Sequence, residues 1–199
     1  IYLLSMQNEK LLDGTILLAA NIEMSMLYAW LSKSKAVSFE AHEGITSMLR
    51  GNTIDPSRLQ ITYFFDDKMW SKTMKNEIHE GKTYLEHIQD YVADEFENTP
   101  FLLVENNDQA HSPLQNMATC TRIPVISKGI NDYQHINALV NLAALNREPK
   151  FVSMLGNLGI DQRTIHESTG YEVLYQNLMR TSLRNPDSKE IVNLITPSR

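Results

Sequence analysis

The sequence predicts an α/β domain built on a mostly parallel sheet with helices on both faces. Three observations carry this expectation. Short β-branched, aromatic or wholly apolar runs recur at 61–65, 101–104, 123–126, 138–145 and 191–195. Segments with helical periodicity lie among them at 82–96, 151–158 and 171–184. Gly, Pro and Asn/Asp clusters punctuate the joints. Strands separated by helices at these spacings favour parallel pairing, because each crossover returns the chain over the sheet.

Each element has a local reason. Residues 61–65 (ITYFF) are β-branched and aromatic and end in Asp66-Asp67. In 82–96, Leu85, Ile88, Val92 and Phe96 line one helical face while Glu86, Gln89, Asp90 and Asp94 line the rest, and Thr99-Pro100 stops the helix. Residues 101–104 (FLLV) form the continuous apolar run of a strand buried on both faces, with Glu105 to Asp108 as the loop at its carboxyl end. The run 123–126 leads into Ser127-Lys128-Gly129-Ile130-Asn131-Asp132, and 138–145 comes after a polar stretch. Residues 151–158 form a short helix with Gly156 and Gly159 near its end. Residues 171–184 (YEVLYQNLMRTSLR) place Tyr171, Leu174, Tyr175, Leu178 and Met179 on one helical stripe and Gln176, Arg180 and Arg184 on the other side. Asn185-Pro186 ends that helix.

The first quarter reads less clearly. Residues 1–4 and 15–20 suggest strands, and 20–31 carries Ile22, Met26 and Trp30 at helical spacing. Gly44, Gly51 and Pro56 break up the stretch from Ser32 to Pro56. A boundary near 52–58 divides the chain into 1–55, a tail of a preceding domain or an N-terminal extension, and a domain at 56–199.

With 199 residues the chain can bury a real core as one α/β domain or a domain plus part of a neighbour. Its formal net charge is −6, so any contact with nucleic acid must be local. Cys120 is the only cysteine, which excludes an internal disulfide framework and a cysteine-only zinc site and fits a reducing, cytoplasmic compartment. No run of about 18 apolar residues and no basic stretch before a hydrophobic one points to a membrane span or signal peptide. The chain begins at Ile1 rather than methionine, as a fragment or processed piece of something longer would.

Ligands of open α/β sheets bind outside the carboxyl ends of strands, so the loops after Val104 and Ile126 and the 171–184 helix are the places to look. In the 127–132 segment a hydroxyl, a cation and a flexible glycine stand at a strand end, either as an ordinary turn or as a place where backbone N–H groups approach phosphate. Trp70-Ser71-Lys72-Thr73 is basic and aromatic, and its tryptophan either stacks on a nucleic-acid base or caps a core. The stripe of Gln176, Arg180 and Arg184 is either a solvated face or an anion-binding one.

In combination these residues resemble the second motor domain of superfamily-two helicases, of the phage or plasmid type. Ser127 to Asp132 is similar to motif V, with its small-residue, basic-Gly, apolar, acidic pattern. Gln176, Arg180 and Arg184 are similar to motif VI, although Arg184 lies eight residues after Gln176 where the commoner family pattern has seven. Leu12-Asp13-Gly14-Thr15 resembles motif III, with Gly14 in place of the usual alanine. The resemblance implies a RecA-like domain lacking its own P-loop. It would be an ATP-dependent helicase or translocase, inactive as an ATP hydrolase by itself, with ATP and Mg²⁺ bound mainly by a preceding motor domain outside this chain. It implies Arg184 as the arginine finger, with Arg180 and Gln176 supporting it. Lys128, Gly129 and Asp132 would face the nucleotide. Ser127, Lys72 and Trp70 would face nucleic acid, DNA in preference to RNA. Arginine suits the finger because its planar fork stays charged beside developing phosphoryl charge.

Other signals are weaker. Gly81-Lys82-Thr83 ends like a P-loop, but Asn76 stands where the earlier glycine belongs and no strand leads in. The six histidines show no H-E-x-x-H pattern, so no metal site is expected, and Cys120 with His111 has only proximity behind it. The rival reading from another class is a non-catalytic α/β module whose arginine stripe binds an acidic protein partner.

Overall fold

The apolar runs Phe101–Val104 and 138–140 lie at the centre of a five-stranded sheet. The computed structural model describes residues 22–33, 38–46, 55–107, 112–127, 131–145 and 147–198. The expectations at 1–4, at 15–20, at Leu12 to Thr15, and at Lys128 and Gly129 lie outside those residues. The chain divides into two compact units, Ile1–Gly51 with Arg147–Glu172, and Asn52–Asn146 with Val173–Arg199.

In the second unit the strands are β1 (Leu59–Phe65), β4 (Phe101–Val104), β5 (Cys120–Ile123), β6 (Ala138–Asn141) and β7 (Val192–Ser198), in the order β1-β7-β6-β4-β5. Every pairing among them is parallel. One register row crosses the whole sheet, from Ile61 through Leu194, Leu139 and Leu102 to Thr121. All residues of β4 and β6 are buried, as a strand covered on both faces requires.

Alternation along the strands makes two cores. Phe101, Leu103, Ala138, Val140 and Ile195 pack with Leu85, Ile88 and Val92 of helix α4 (Tyr84–Glu95), and with Trp70 and Met74. Leu102, Val104, Leu139 and Leu194 turn the other way, toward Leu174 and Leu178 of α7 (Glu172–Leu178) and toward Leu183. Each fully buried Leu, Ile, Val or Phe among them contributes about 1.5–3 kcal/mol relative to exposure. The expected α/β class with helices on both faces is therefore what these residues build.

Three local expectations need correction. The run predicted as a strand at 123–126 is displaced: β5 ends at Ile123, because Pro124 has no N–H to donate to the ladder, and Ile126 is 62% exposed. The helix expected over 82–96 begins only at Tyr84, because Gly81-Lys82-Thr83 is a hairpin corner. Strand β2 (Ile78–His79) pairs antiparallel with β3 (Lys82–Thr83) around Glu80 and Gly81, whose φ values of 51° and 85° are those of a two-residue primed turn. Thr83 then caps α4, its hydroxyl accepting from Glu86 N–H at 3.1 Å while Glu86 accepts from Thr83 N–H at 2.7 Å. Lys82 is exposed and pairs with Asp90, so this corner is no phosphate loop.

The third correction concerns 171–184, which is not one helix. A π turn, Glu167–Tyr171, precedes α7, and α7 ends at Leu178. Thr181 breaks it: its hydroxyl donates to Leu178 O at 2.7 Å, its backbone is extended, and it then caps a 3₁₀ turn, Ser182–Arg184, by accepting from Leu183 N–H. Thr and Ser compete with the helix by bonding their own backbone, and Thr181 does so here.

The regular elements described in the first unit are all helical. It contains α1 (Met26–Lys33), α2 (Glu43–Thr46), α5 (Pro149–Asn157) and α6 (Gln162–His166). Leu155, Ile160 and Ile165 form its core with Met26, Trp30 and Phe151. Gly159, at φ 82°, closes α5 as Ile160 N–H reaches back to Leu155 O at 3.0 Å. Lys33 Nζ donates to Gly159 O at 2.7 Å and to Asp161 at 3.0 Å, tying α1 to that corner. Among the described residues no helix is long and apolar enough to cross a membrane.

Candidate anion-binding site

The site grows from one buried asparagine. Asn177 stands on α7 three residues after Leu174, so the helix carries its amide to the sheet side, where it is 0% exposed. A polar group there must be paired. Its Nδ2 donates to Val125 O at 2.9 Å and its Oδ1 accepts from Ser127 Oγ at 2.6 Å. Ser127 Oγ in turn accepts from Arg180 Nε at 3.4 Å. The polarity is fixed along this chain of bonds, from guanidinium to hydroxyl to amide to carbonyl.

Arg180 continues the network. It is 9% exposed, and its Nη1 donates to Asn131 Oδ1 at 3.1 Å. Arg184, exposed on the 3₁₀ turn, donates to the same oxygen. Two guanidinium groups thus meet at one neutral acceptor. Burial, and then the neighbouring Arg184 charge, lower the pKa of Arg180, although an arginine stays protonated at neutral pH. An anionic oxygen placed beside the neutral Asn131 Oδ1 would relieve that repulsion and could accept from either fork.

The geometry sorts the expected residues. It brings Arg180, Arg184 and Ser127 together across about fifty residues of sequence. It does so by a helix end and a 3₁₀ turn, not by one helical face. Asp132 is exposed and stands outside the described network, whose acceptor in that loop is its neighbour Asn131. Gln176 is half-buried on α7 and makes no side-chain hydrogen bond to another described residue.

Trp70 is corrected. It is 9% exposed, stacks within the core on Phe65 at 6.3 Å and donates its indole N–H to Leu142 O at 2.9 Å, so it has no face to offer a base. Lys72 is exposed on α3 (Lys72–Lys75), whose Met74 belongs to the core on the sheet face opposite α7. Ser127 is buried and serves the arginine network rather than presenting its hydroxyl to a strand of nucleic acid.

Sequence reasoning missed Asn131 and Asn177. For Asn177 a signal exists, a polar residue between Leu174 and Leu178 on the apolar stripe. Among the described residues no group of three or more His, Cys, Asp or Glu could hold a metal ion. No protein family, no curated protein and no solved structure matches the chain.

Proposed function

We propose that this chain carries the second, RecA-like motor domain of a superfamily-two helicase or translocase, supplying an arginine pair to a nucleotide held by a preceding motor domain. The observation that carries the reading is the convergence of Arg180 and Arg184 on Asn131 Oδ1, beside the loop that resembles motif V. The donor set fits phosphate: two planar forks, one seated by Ser127 and the other exposed, meeting at a neutral amide oxygen. It does not fit Mg²⁺, so the metal and most of the ATP contacts belong to the other domain in this reading. ATP would supply the phosphoryl group that is transferred to water. Arg184 would donate to its oxygens as charge develops, and Arg180 would hold a second oxygen from its rigid seat. DNA would be the nucleic acid moved.

The rival is an interaction module that docks an acidic protein segment. Exposed Ile126 next to Ser127 favours it, since an apolar side chain beside a cationic pair suits a peptide with an acidic and an apolar residue. The two readings separate in one experiment. With this domain joined to its ATP-binding partner, DNA-stimulated ATP hydrolysis that falls in Arg184→Ala supports the motor domain. Salt-sensitive protein binding, with no DNA binding and no effect on ATP turnover, supports the module.

A further inference from the structure

Arg58 is a buried cation that the Asn131 site does not use. It lies at the end of a 3₁₀ turn, Pro56–Arg58, just before β1, and is 8% exposed. Its guanidinium donates to three backbone carbonyls. Nη2 reaches Ser182 O at 2.9 Å, Nη1 reaches Asn185 O at 2.9 Å, and Nε reaches Glu190 O at 3.2 Å. Those carbonyls bracket the segment between α7 and β7, and Arg184 sits inside the bracket. From the other side, Ser182 N–H is held by Ile136 O at 3.1 Å. The 3₁₀ turn that carries Arg184 is therefore pinned by β1's flank and by the lead-in to β6.

A buried guanidinium is costly unless every fork direction is met, and here three donor nitrogens are met by backbone rather than by a carboxylate. Backbone acceptors fix a path of chain, which a carboxylate would not. Lysine cannot replace the fork, since its ammonium is a point donor that cannot reach three divergent carbonyls in one plane.

We infer that Arg58 is the positioning residue for Arg184, fixing through the Ser182, Asn185 and Glu190 carbonyls where that guanidinium meets an anion. This rests on the phosphate reading of the arginine pair. Arg58 itself touches no anion.

The test is a double-mutant cycle on the 199-residue chain, with inorganic tripolyphosphate as the probe and arginine side-chain N–H resonances as the readout. Arg58→Lys should weaken tripolyphosphate binding about as much as Arg184→Ala does, roughly fivefold to tenfold, and should weaken it no further in the Arg184→Ala background. Equal losses in both backgrounds, or no loss in either, overturn the inference. If Arg184→Ala itself leaves binding unchanged, the phosphate reading falls and this one with it. If Arg184→Ala weakens binding and Arg58→Lys does not, only the positioning role falls. Should Arg58→Lys fail to fold, the wild-type chain decides: saturating tripolyphosphate should shift the Arg58 Nε–H resonance at a distance, and an unmoved resonance overturns the inference.

Discussion

Arg180 and Arg184 donate to one atom, Asn131 Oδ1, from two different secondary structures. Arg180 comes just after the last turn of α7 and is buried, whereas Arg184 closes a 3₁₀ turn and is exposed. The buried member is seated by Ser127 and Asn177, and the exposed member faces solvent. A built seat beside an accessible partner is the arrangement expected where an incoming anion completes the set.

Giving the pair a resident anion should close the site. In Asn131→Asp a carboxylate replaces the shared amide oxygen, so the two cations are satisfied internally. Tripolyphosphate affinity should fall about tenfold, the equivalent of about 1.4 kcal/mol, while the melting temperature rises. Isothermal titration and a thermal melt on the same preparation check both directions.

Asn177 should matter to stability more than Arg180 or Arg184. Asn177→Ala leaves Val125 O and the Ser127 hydroxyl without their buried partner, a loss of about 1–3 kcal/mol. Urea denaturation should show a lower midpoint with an unchanged slope.

The sheet was legible because its signal is local. Four apolar residues in a row at Phe101 to Val104 state a strand buried on both faces, and Leu85, Ile88, Val92 and Phe96 state a helix that covers it. The site was legible only in part. Arg180 and Arg184 were singled out together on the premise of a continuous helix that Thr181 interrupts. Asn131 could not be chosen over Asp132 from sequence, since which loop residue reaches the arginines depends on a contact between segments about fifty residues apart. Trp70 sits in a polar, basic stretch, and only the long-range bond to Leu142 O shows that its ring turns inward. The division of the chain was also beyond local reading, because Arg147–Glu172 groups with the first unit although it comes after β6 in sequence.

Trp70 gives a direct check on that inward turn. Trp70→Phe keeps much of the apolar bulk but leaves Leu142 O without its indole donor, so stability should fall by about 1–3 kcal/mol. Binding of a fluorescent oligonucleotide should be unchanged in the folded variant. A loss of binding at full stability would return the tryptophan to the surface role.

Cys120 should behave as a structural thiol. Its burial, and then the Glu105 charge, push its pKa up to about 11 against an ordinary 9.0, with Arg122 opposing weakly. The protonated form is the one favoured by folding. The resulting stability is therefore fully present below about pH 9 and is lost as the pH climbs toward 11. Alkylation by iodoacetamide should still be accelerating at about pH 10 in the folded chain, where the unfolded chain has reached its plateau.

In the proposed motor-domain role, Arg184 acts on a phosphoryl group held by another domain. The measurement closest to it is the kcat of DNA-stimulated ATP hydrolysis by this domain together with its ATP-binding partner, for wild type and Arg184→Ala. Loss of an arginine finger should lower kcat by about 10³-fold or more, with the fold intact by circular dichroism. Turnover within a few-fold of wild type would rule out Arg184 as the finger.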